Sequence, residues 1–244
     1  MRLGAGDGTS TGKRIDPRPV LIVTGLVQEA RIAAGPGMTV ICSSSDPQQL
    51  RALLTVFDPA TIRGVISFGV AGGLDPTLKS GDVVVATEVL AGAGRWLAGF
   101  SFSEDLIAGV GLGRRRVVRG LLAGAEELVS ARHVKAALHS ETGAAAVDME
   151  SHIAADYAAK ARLPFAAVRV ISDPASRALP ALASSVIKPN GDIDLRKVMH
   201  GIVRDPLALL DLVSTGLDFN RALRSLRGCR SFLLGGEGLL AADL

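Results

Sequence analysis

Short apolar runs alternating with stretches of helical periodicity constrain this chain more than any other feature. Val20-Leu21-Ile22-Val23-Thr24, Met38-Thr39-Val40-Ile41-Cys42 and Gly64-Val65-Ile66-Ser67-Phe68 read as strands, as do residues 82–87, 116–125 and 165–171. A continuous apolar run of this length bounded by turn residues is a buried strand. Between the runs lie helical segments. Ser45-Asp46-Pro47 is a helix start, with a capping side chain followed by Pro at the first helical position. Leu50, Leu53, Leu54 and Phe57 then fall at i, i+3, i+4 and i+7, one apolar face, and Asp58-Pro59 ends it. Residues 28–34 and 130–140 are also helical. Val147-Asp148-Met149-Glu150 leads a helix with Ile153, Ala154, Tyr157, Ala158 and Ala161 on one face, broken by Pro164. Strands alternating with helices require an α/β layer fold with a mostly parallel or mixed sheet.

Other stretches read less regularly. Gly69-Val70-Ala71-Gly72-Gly73 is expected to be a tight strand-to-loop turn, and residues 90–113, rich in glycine, to be loops. Asp205-Pro206 restarts a helix in which Leu209, Leu210, Val213 and Leu217 stand at helical spacing. Residues 1–18 form a loose arm, 19–234 one α/β domain with a helical C-terminal third, and 235–244 a fraying tail.

Composition removes several function classes. The 27 Lys+Arg against 24 Asp+Glu leave a net charge of +3, small for a nucleic-acid binder, and aromatics make up only 4%, too few for single-strand stacking platforms. The dense cluster Arg114, Arg115, Arg116 and Arg119 reads as a solvated or interface face. Two distant cysteines, Cys42 and Cys229, and four histidines without HxxxH or HExxH spacing supply neither a disulfide framework nor a metal site. There is no apolar stretch of membrane-spanning length and no apolar leader at the N-terminus, so the expected location is the cytoplasm.

Several carboxylates stand at or near strand ends, where α/β sheets bind ligands. Glu29 follows the first strand, Asp173 the strand 165–171, and Glu150 opens a helix. Taken singly, Glu29 is a surface helix residue, Asp148 a helix cap, Asp173 a turn residue before Pro174, and Glu150 an acid favoured by the helix dipole. Taken together, two carboxylates across one crevice suit glycosidic cleavage. One acts as base on water and the other as acid on the leaving group, while a third grips sugar hydroxyls.

From Val20 to Pro174 the chain resembles the nucleoside phosphorylase and methylthioadenosine-type nucleosidase superfamily. The resemblance rests on four ordered pieces. They are Val20-Leu21-Ile22-Val23-Thr24-Gly25-Leu26-Val27-Gln28-Glu29, Ser67-Phe68-Gly69-Val70-Ala71-Gly72-Gly73-Leu74 with Leu78-Lys79-Ser80-Gly81-Asp82, Ala146-Val147-Asp148-Met149-Glu150-Ser151, and Val168-Arg169-Val170-Ile171-Ser172-Asp173. Gln28-Glu29-Ala30-Arg31-Ile32-Ala33, Ala145-Ala146-Val147-Asp148-Met149-Glu150-Ser151-His152, and Ile171-Ser172-Asp173-Pro174 followed by Arg177-Ala178-Leu179-Pro180 further resemble the hopanoid-biosynthesis-associated branch, implicated in removing adenine from adenosylhopane to leave ribosylhopane.

The resemblance implies a single-domain mixed twisted sheet flanked by helices. It implies Glu29 as the base that activates water and Asp173 as the acid that protonates purine N7, with Ser172 orienting it. Glu150 would bond the ribose hydroxyls and Met149 would pack on the sugar. The Val147 backbone would lie near the base, and Gly72 would allow close approach of the ligand. The implied partner is a small-molecule nucleoside, lipid-linked in the hopanoid case, which would bring the chain to a membrane surface. No cofactor, metal or nucleic acid is implied, and a homo-oligomer, a dimer or higher, is. An aspartate at the purine edge suits a 6-amino base, so adenine is the expected leaving group.

Two departures from the superfamily bear on the nucleophile. Val70 stands where phosphate-using relatives often carry Ser, and a valine side chain donates no hydrogen bond. No arginine fork precedes Glu29, although Arg31 follows it. Both favour water over phosphate. A purine nucleoside phosphorylase, a methylthioadenosine/S-adenosylhomocysteine nucleosidase and a non-catalytic nucleoside-binding protein stand as alternatives. No aromatic stands at the expected base-stacking strand, where Leu121 and Leu122 are found. Phe68, Trp96, Phe100 and Phe102 are the other candidates, each as readily explained by core or loop packing.

Overall fold

Strand β1 (Val20–Thr24) is buried at all five positions, as its unbroken apolar sequence requires. The computed structural model describes residues 16–99, 116–179, 208–230 and 233. Expectations for most of the N-terminal arm, for 100–113, for Arg114 and Arg115, for Asp205-Pro206 and for the tail lie outside these residues. In chain order the elements are β1, α1 (Val27–Ala33), β2 (Met38–Cys42), α2 (Pro47–Val56), a 3-10 turn (Pro59–Thr61), β3 (Gly64–Gly73), β4 (Val83–Ala91), β5 (Gly94–Leu97) and β6 (Val117–Gly124), followed by α3 (Arg132–Thr142), β7 (Ala146–Asp148), α4 (Ser151–Lys160), β8 (Phe165–Asp173) and α5 (Ala208–Gly228).

The strands form one mixed sheet in the order β2-β1-β3-β7-β6-β4-β5, and β8 pairs with both β3 and β4. That extra pairing closes a ring, β3-β7-β6-β4-β8, so the sheet is not the open one that its strand-end ligand sites would suggest. Closure satisfies backbone groups that an open sheet leaves at an edge. Alternate residues of the central strands feed two cores. Leu21, Val65, Ala167 and Ile171 pack with Leu50 and Leu54 of α2 and with Ile153, Ala154 and Ala158 of α4. Ile22, Ile66, Val168 and Val170 pack with Ile32 and Ala33 of α1 and with Ala222, Leu223 and Leu226 of α5.

Local signals hold where chemistry is local. Asp46 Oδ1 accepts from the N–H groups of Gln48 and Gln49 at 2.8 and 3.1 Å, capping α2. Gly143, at φ 68°, takes the left-handed position that ends α3. Two expectations are corrected. Gly69–Gly73 is not a turn but the second half of β3, because β8 pairs along it as far as Gly72. Residues 83–97 form a hairpin, β4 and β5, where loops were expected from residue 90, with Gly92 at φ 54° in the turn. The helix expected over residues 209–217 is α5; its Val213 and Leu217 are exposed, and the sheet is covered by its later residues Ala222, Leu223 and Leu226, with Cys229 just beyond its end. Helical periodicity identifies an apolar face but not which turns of the helix cross the sheet.

Candidate active site

Glu29 is the third residue of α1 and almost completely buried. Its Oε2 accepts the N–H groups of Gly25 and Leu26, both at 2.9 Å, which ties the helix start to the end of β1. Its Oε1 accepts the N–H of Val70 on β3 at 2.8 Å. A carboxylate offers about four lone-pair sites. Oε2 is therefore saturated, and Oε1 keeps one acceptor direction. Burial pushes the Glu29 carboxyl above its ordinary range, against the pull of Arg169 and the three amides.

Two glycines bring charged groups against bare backbone. A Cβ on Gly69 would lie 2.6 Å from Arg169 Nη1 and 2.7 Å from Glu29 Cδ. A Cβ on Gly25 would lie 2.6 Å from Glu150 Oε1. Glu29, Glu150 and Arg169 thus converge where Gly25, just past β1, and Gly69 of β3 carry no side chain.

Arg169 was not among the residues expected at the site, yet it organises it. It stands on β8, is fully buried, and pairs in register with Gly69. Its Nη2 donates to Ser67 Oγ at 2.6 Å and to Asp148 Oδ1 at 3.1 Å, and lies 3.4 Å from Glu150 Oε2. Its Nε donates to Ser151 Oγ at 3.2 Å. Burial lowers the Arg169 pKa, but the Asp148, Glu150 and Glu29 carboxylates outweigh it and hold the guanidinium charged. The available signal was a single cation in an otherwise apolar strand, because an unpaired charge there would be too costly to bury.

Asp148 does cap the start of α4: its Oδ1 accepts from Glu150 N–H at 2.9 Å and Ser151 N–H at 2.6 Å. That turn fixes Glu150, whose carboxyl is pushed up to about 8 by burial, opposed by Arg169 and reinforced by Asp148 and Glu29. Glu150 in the folded chain therefore stays protonated far above the 4.5 of an ordinary glutamate. Its contribution to stability is complete below pH 4.5, is lost as pH rises toward 8, and is flat above that. Glu150→Gln removes this dependence. The melting temperature of the Gln variant minus that of the native chain is expected to grow between pH 5 and 8. Melts at pH 5, 7 and 9 check it, and a constant difference would show an ordinarily titrating Glu150.

Asp173 ends β8. The β3–β8 register slips between Ala71 and Gly72, so that Ile171 faces Ala71 and Asp173 faces Gly72, with Ser172 as the extra residue. A bulge of this kind re-aims a side chain. Asp173 Oδ2 would lie 3.3 Å from a Cβ on Gly72, and Val147 Cγ1 would lie 3.4 Å from it. The close approach that Gly72 permits is thus that of Asp173 and Val147. Ser172 Oγ donates to Asp173 Oδ1 at 2.6 Å. Asp173 Oδ2 is held by the ammonium of Lys135, a residue of α3 that had no distinguishing mark in the sequence. Burial pushes the Asp173 carboxyl up, opposed by Lys135 and Ser172.

The structure thus gathers the sequence-derived residues at two positions along β3. Glu29, Glu150 and Arg169 meet near Gly69 and Val70, while Asp173, Ser172 and Val147 meet at Gly72. Val70 and Gly72 lie on one face of the strand, about 7 Å apart. Met149 is half-buried between Asp148 and Glu150. The walls near Val147 are aliphatic: Leu74, Leu90 and Ala123 form a cluster with it, and Leu121 packs against them. Phe68 is enclosed in a core, Trp96 packs on the other face of the sheet, and Phe100 and Phe102 lie outside the described residues. Arg31 is on the exposed side of α1, and the described part of the arginine cluster, Arg116 and Arg119, is exposed as expected.

Solved structures of the same fold share this arrangement of elements. The chain is 18% identical to a putative methylthioadenosine nucleosidase from Weissella paramesenteroides, with a TM-score of 0.58 over 91% of this chain and 97% of that one. It is 17% identical to the futalosine hydrolase of Helicobacter pylori, with a TM-score of 0.58 over 91% and 97% of the two chains. A 5'-methylthioadenosine/S-adenosylhomocysteine nucleosidase from Colwellia psychrerythraea in complex with adenine is 19% identical, with a TM-score of 0.56 over 75% and 94%. The family described as the phosphorylase superfamily matches residues 9–193, which include every site residue above. The chain belongs to the phosphorylase superfamily.

Proposed function

We propose that the chain is a purine nucleosidase that hydrolyses the N-glycosidic bond of a 5'-substituted adenosine and releases adenine. In this reading a water bound at Glu29 Oε1 attacks the anomeric carbon. Asp173 donates its proton to purine N7 as the bond to N9 breaks, so that the base leaves neutral. Glu150 and Met149 hold the ribose, and the negative cluster around Glu150 favours the cationic sugar of an oxocarbenium-like transition state. The aliphatic wall at Val147, in place of an aromatic, supports the base by apolar contact alone.

The observation that carries hydrolysis over phosphorolysis is the charge of the cradle. Three buried carboxylates, Glu29, Asp148 and Glu150, share one buried guanidinium, Arg169. Even with Glu150 protonated the cluster has no positive charge to spare for a phosphate dianion. Val70 offers no hydroxyl, and its N–H is already given to Glu29. Water needs neither.

For the 5'-substituent, the resemblance of residues 28–33, 145–152 and 171–180 to the hopanoid-associated branch supports adenosylhopane, converted to ribosylhopane. The neighbours in fold support a second reading, methylthioadenosine or S-adenosylhomocysteine, since the Weissella and Colwellia proteins above are described as nucleosidases for such substrates. A homodimer accompanies either reading. Product analysis by mass spectrometry tests both, with adenosylhopane and methylthioadenosine supplied separately, with and without phosphate. Free adenine and an unphosphorylated sugar, formed at the same rate without phosphate, are expected. A sugar phosphate formed only with phosphate would make the chain a phosphorylase. Turnover of neither substrate would favour a nucleoside-binding protein.

A further inference from the structure

Lys135 is the one buried residue of α3, and no part of its side chain is exposed. Its ammonium sits in a cage made entirely of oxygen. Beyond Asp173 Oδ2, it donates to the carbonyls of Arg177 at 3.1 Å, Pro174 at 3.3 Å and Asp173 itself at 3.4 Å. A buried ammonium is stable only with this degree of pairing. The cage also has a mechanical consequence. Residues 173–177 leave the sheet at Asp173, past the bulge, with no further strand pairing. Lys135 replaces that pairing, tying the strand end and the following turn to α3 through three carbonyls and one carboxylate.

We propose that Lys135 is a positioning residue for Asp173: it holds one carboxyl oxygen and the strand end in place, so that the acid meets the purine edge in one orientation and beside a fixed cation. This rests on the reading of Asp173 as the acid that protonates N7. Ser172 holds the other oxygen, so Asp173 is fixed at both ends. The other charged groups near Asp173 are accounted for among the described residues. Asp218 of α5 faces it, but is bound to Arg177 at 3.3 Å and to Arg221 at 2.7 Å. Gly72 of β3 and Val147 of β7 bring no charge. Lys135 is therefore the direct cationic contact of the Asp173 carboxylate.

The sign of the effect is set by what an acid must do. Asp173 works while protonated, and a neighbouring cation favours its ionised form. Removing Lys135 makes Asp173 hold its proton to higher pH and frees its orientation. In Lys135→Met, the midpoint of the Asp173 carboxyl, followed by its ¹³C resonance and assigned by its loss in Asp173→Asn, is expected to rise by about 1–3 pH units. The turnover number for adenine release at pH 7 is expected to fall by roughly 10- to 100-fold with KM changed far less, as misorientation of a reacting group does. Lys135→Gln, which keeps N–H donors for the carbonyls and removes only the charge, provides the same test if the Met variant does not fold. Lys135→Arg is expected to keep the native midpoint. A folded Met or Gln variant with the native midpoint, or with native turnover, overturns the proposal, and so does an Arg variant whose midpoint moves like that of the Met variant. An Asp173→Asn protein that keeps its turnover defeats instead the reading of Asp173 as acid, whatever Lys135 does.

Discussion

Asp173→Asn lowers the turnover number by roughly 10²–10⁴-fold, the range a positioned general acid supplies. Asparagine has nearly the shape of aspartate, and its carbonyl still accepts from Lys135 or Ser172, so the ligand pocket keeps its form. What it lacks is a proton that can be given up at neutral pH. The expected result is a folded protein that binds a nucleoside analogue with an affinity close to the native one and releases adenine slowly. Single-turnover adenine release and calorimetric binding measure the two separately. Turnover within a few-fold of native would remove Asp173 from the chemistry and shift attention to solvent as the proton source. Loss of binding along with turnover would make Asp173 a binding group first. The substitution also leaves the buried ammonium of Lys135 without its counter-charge, so a lowered melting temperature accompanies the kinetic loss.

Arg169→Met destabilises the fold by about 3–5 kcal/mol, the usual consequence of removing one member of a buried ion pair. In a domain of this size that lowers the melting temperature by roughly 6–20 °C. Methionine fills much of the volume, so the loss is electrostatic rather than a cavity. It removes the guanidinium donor from Ser67 and Ser151 and strands Asp148 and Glu150 beside Glu29 without the cation that balanced them. The deficit is expected to widen with pH, because the uncompensated carboxyls are tolerable when protonated and repel when ionised. Thermal melts of both proteins between pH 5 and 9 measure it. A variant melting within about 2 °C of the native protein at pH 9 would mean that the carboxylates already hold protons and that Arg169 is not their counter-ion.

The two halves of the site differ in how far the sequence reveals them. Glu29, Glu150 and Asp173 are legible because each stands near a boundary of a strand or helix, inside a segment whose resemblance to the superfamily singles it out. Arg169 lies inside a strand, so periodicity files it under core. Its role emerges only from the registration of β8 on β3, which sets it opposite Gly69. Lys135 is harder still. In α3 it sits among His133, Glu141 and other polar residues of a helix whose apolar face is weak. Nothing local separates a buried lysine from a solvated one, since its partner is 38 residues away.

Glycine shows the same divide. Gly143 ends a helix by its own left-handed backbone conformation, a local requirement. Gly25 and Gly69 are needed because carboxylates and a guanidinium from other elements press against them, and a reading of neighbours along the chain sees only flexible turns. That is why 69–73 read as a turn when it is a strand.

By itself the sequence determined the α/β class, most element positions and the capped start of α2, because each depends on the side-chain alternation of strands, the periodicity of helices or a capping contact a few residues away, while the resemblance of its segments singled out the three carboxylates. Only the tertiary structure decided that β8 closes the sheet between β3 and β4, that a one-residue slip turns Asp173 toward Gly72, and which cations balance the buried acids. Those are matters of long-range register and charge pairing, in which the stabilising partner is distant in the chain and a shift of one residue exchanges one face of a strand for the other.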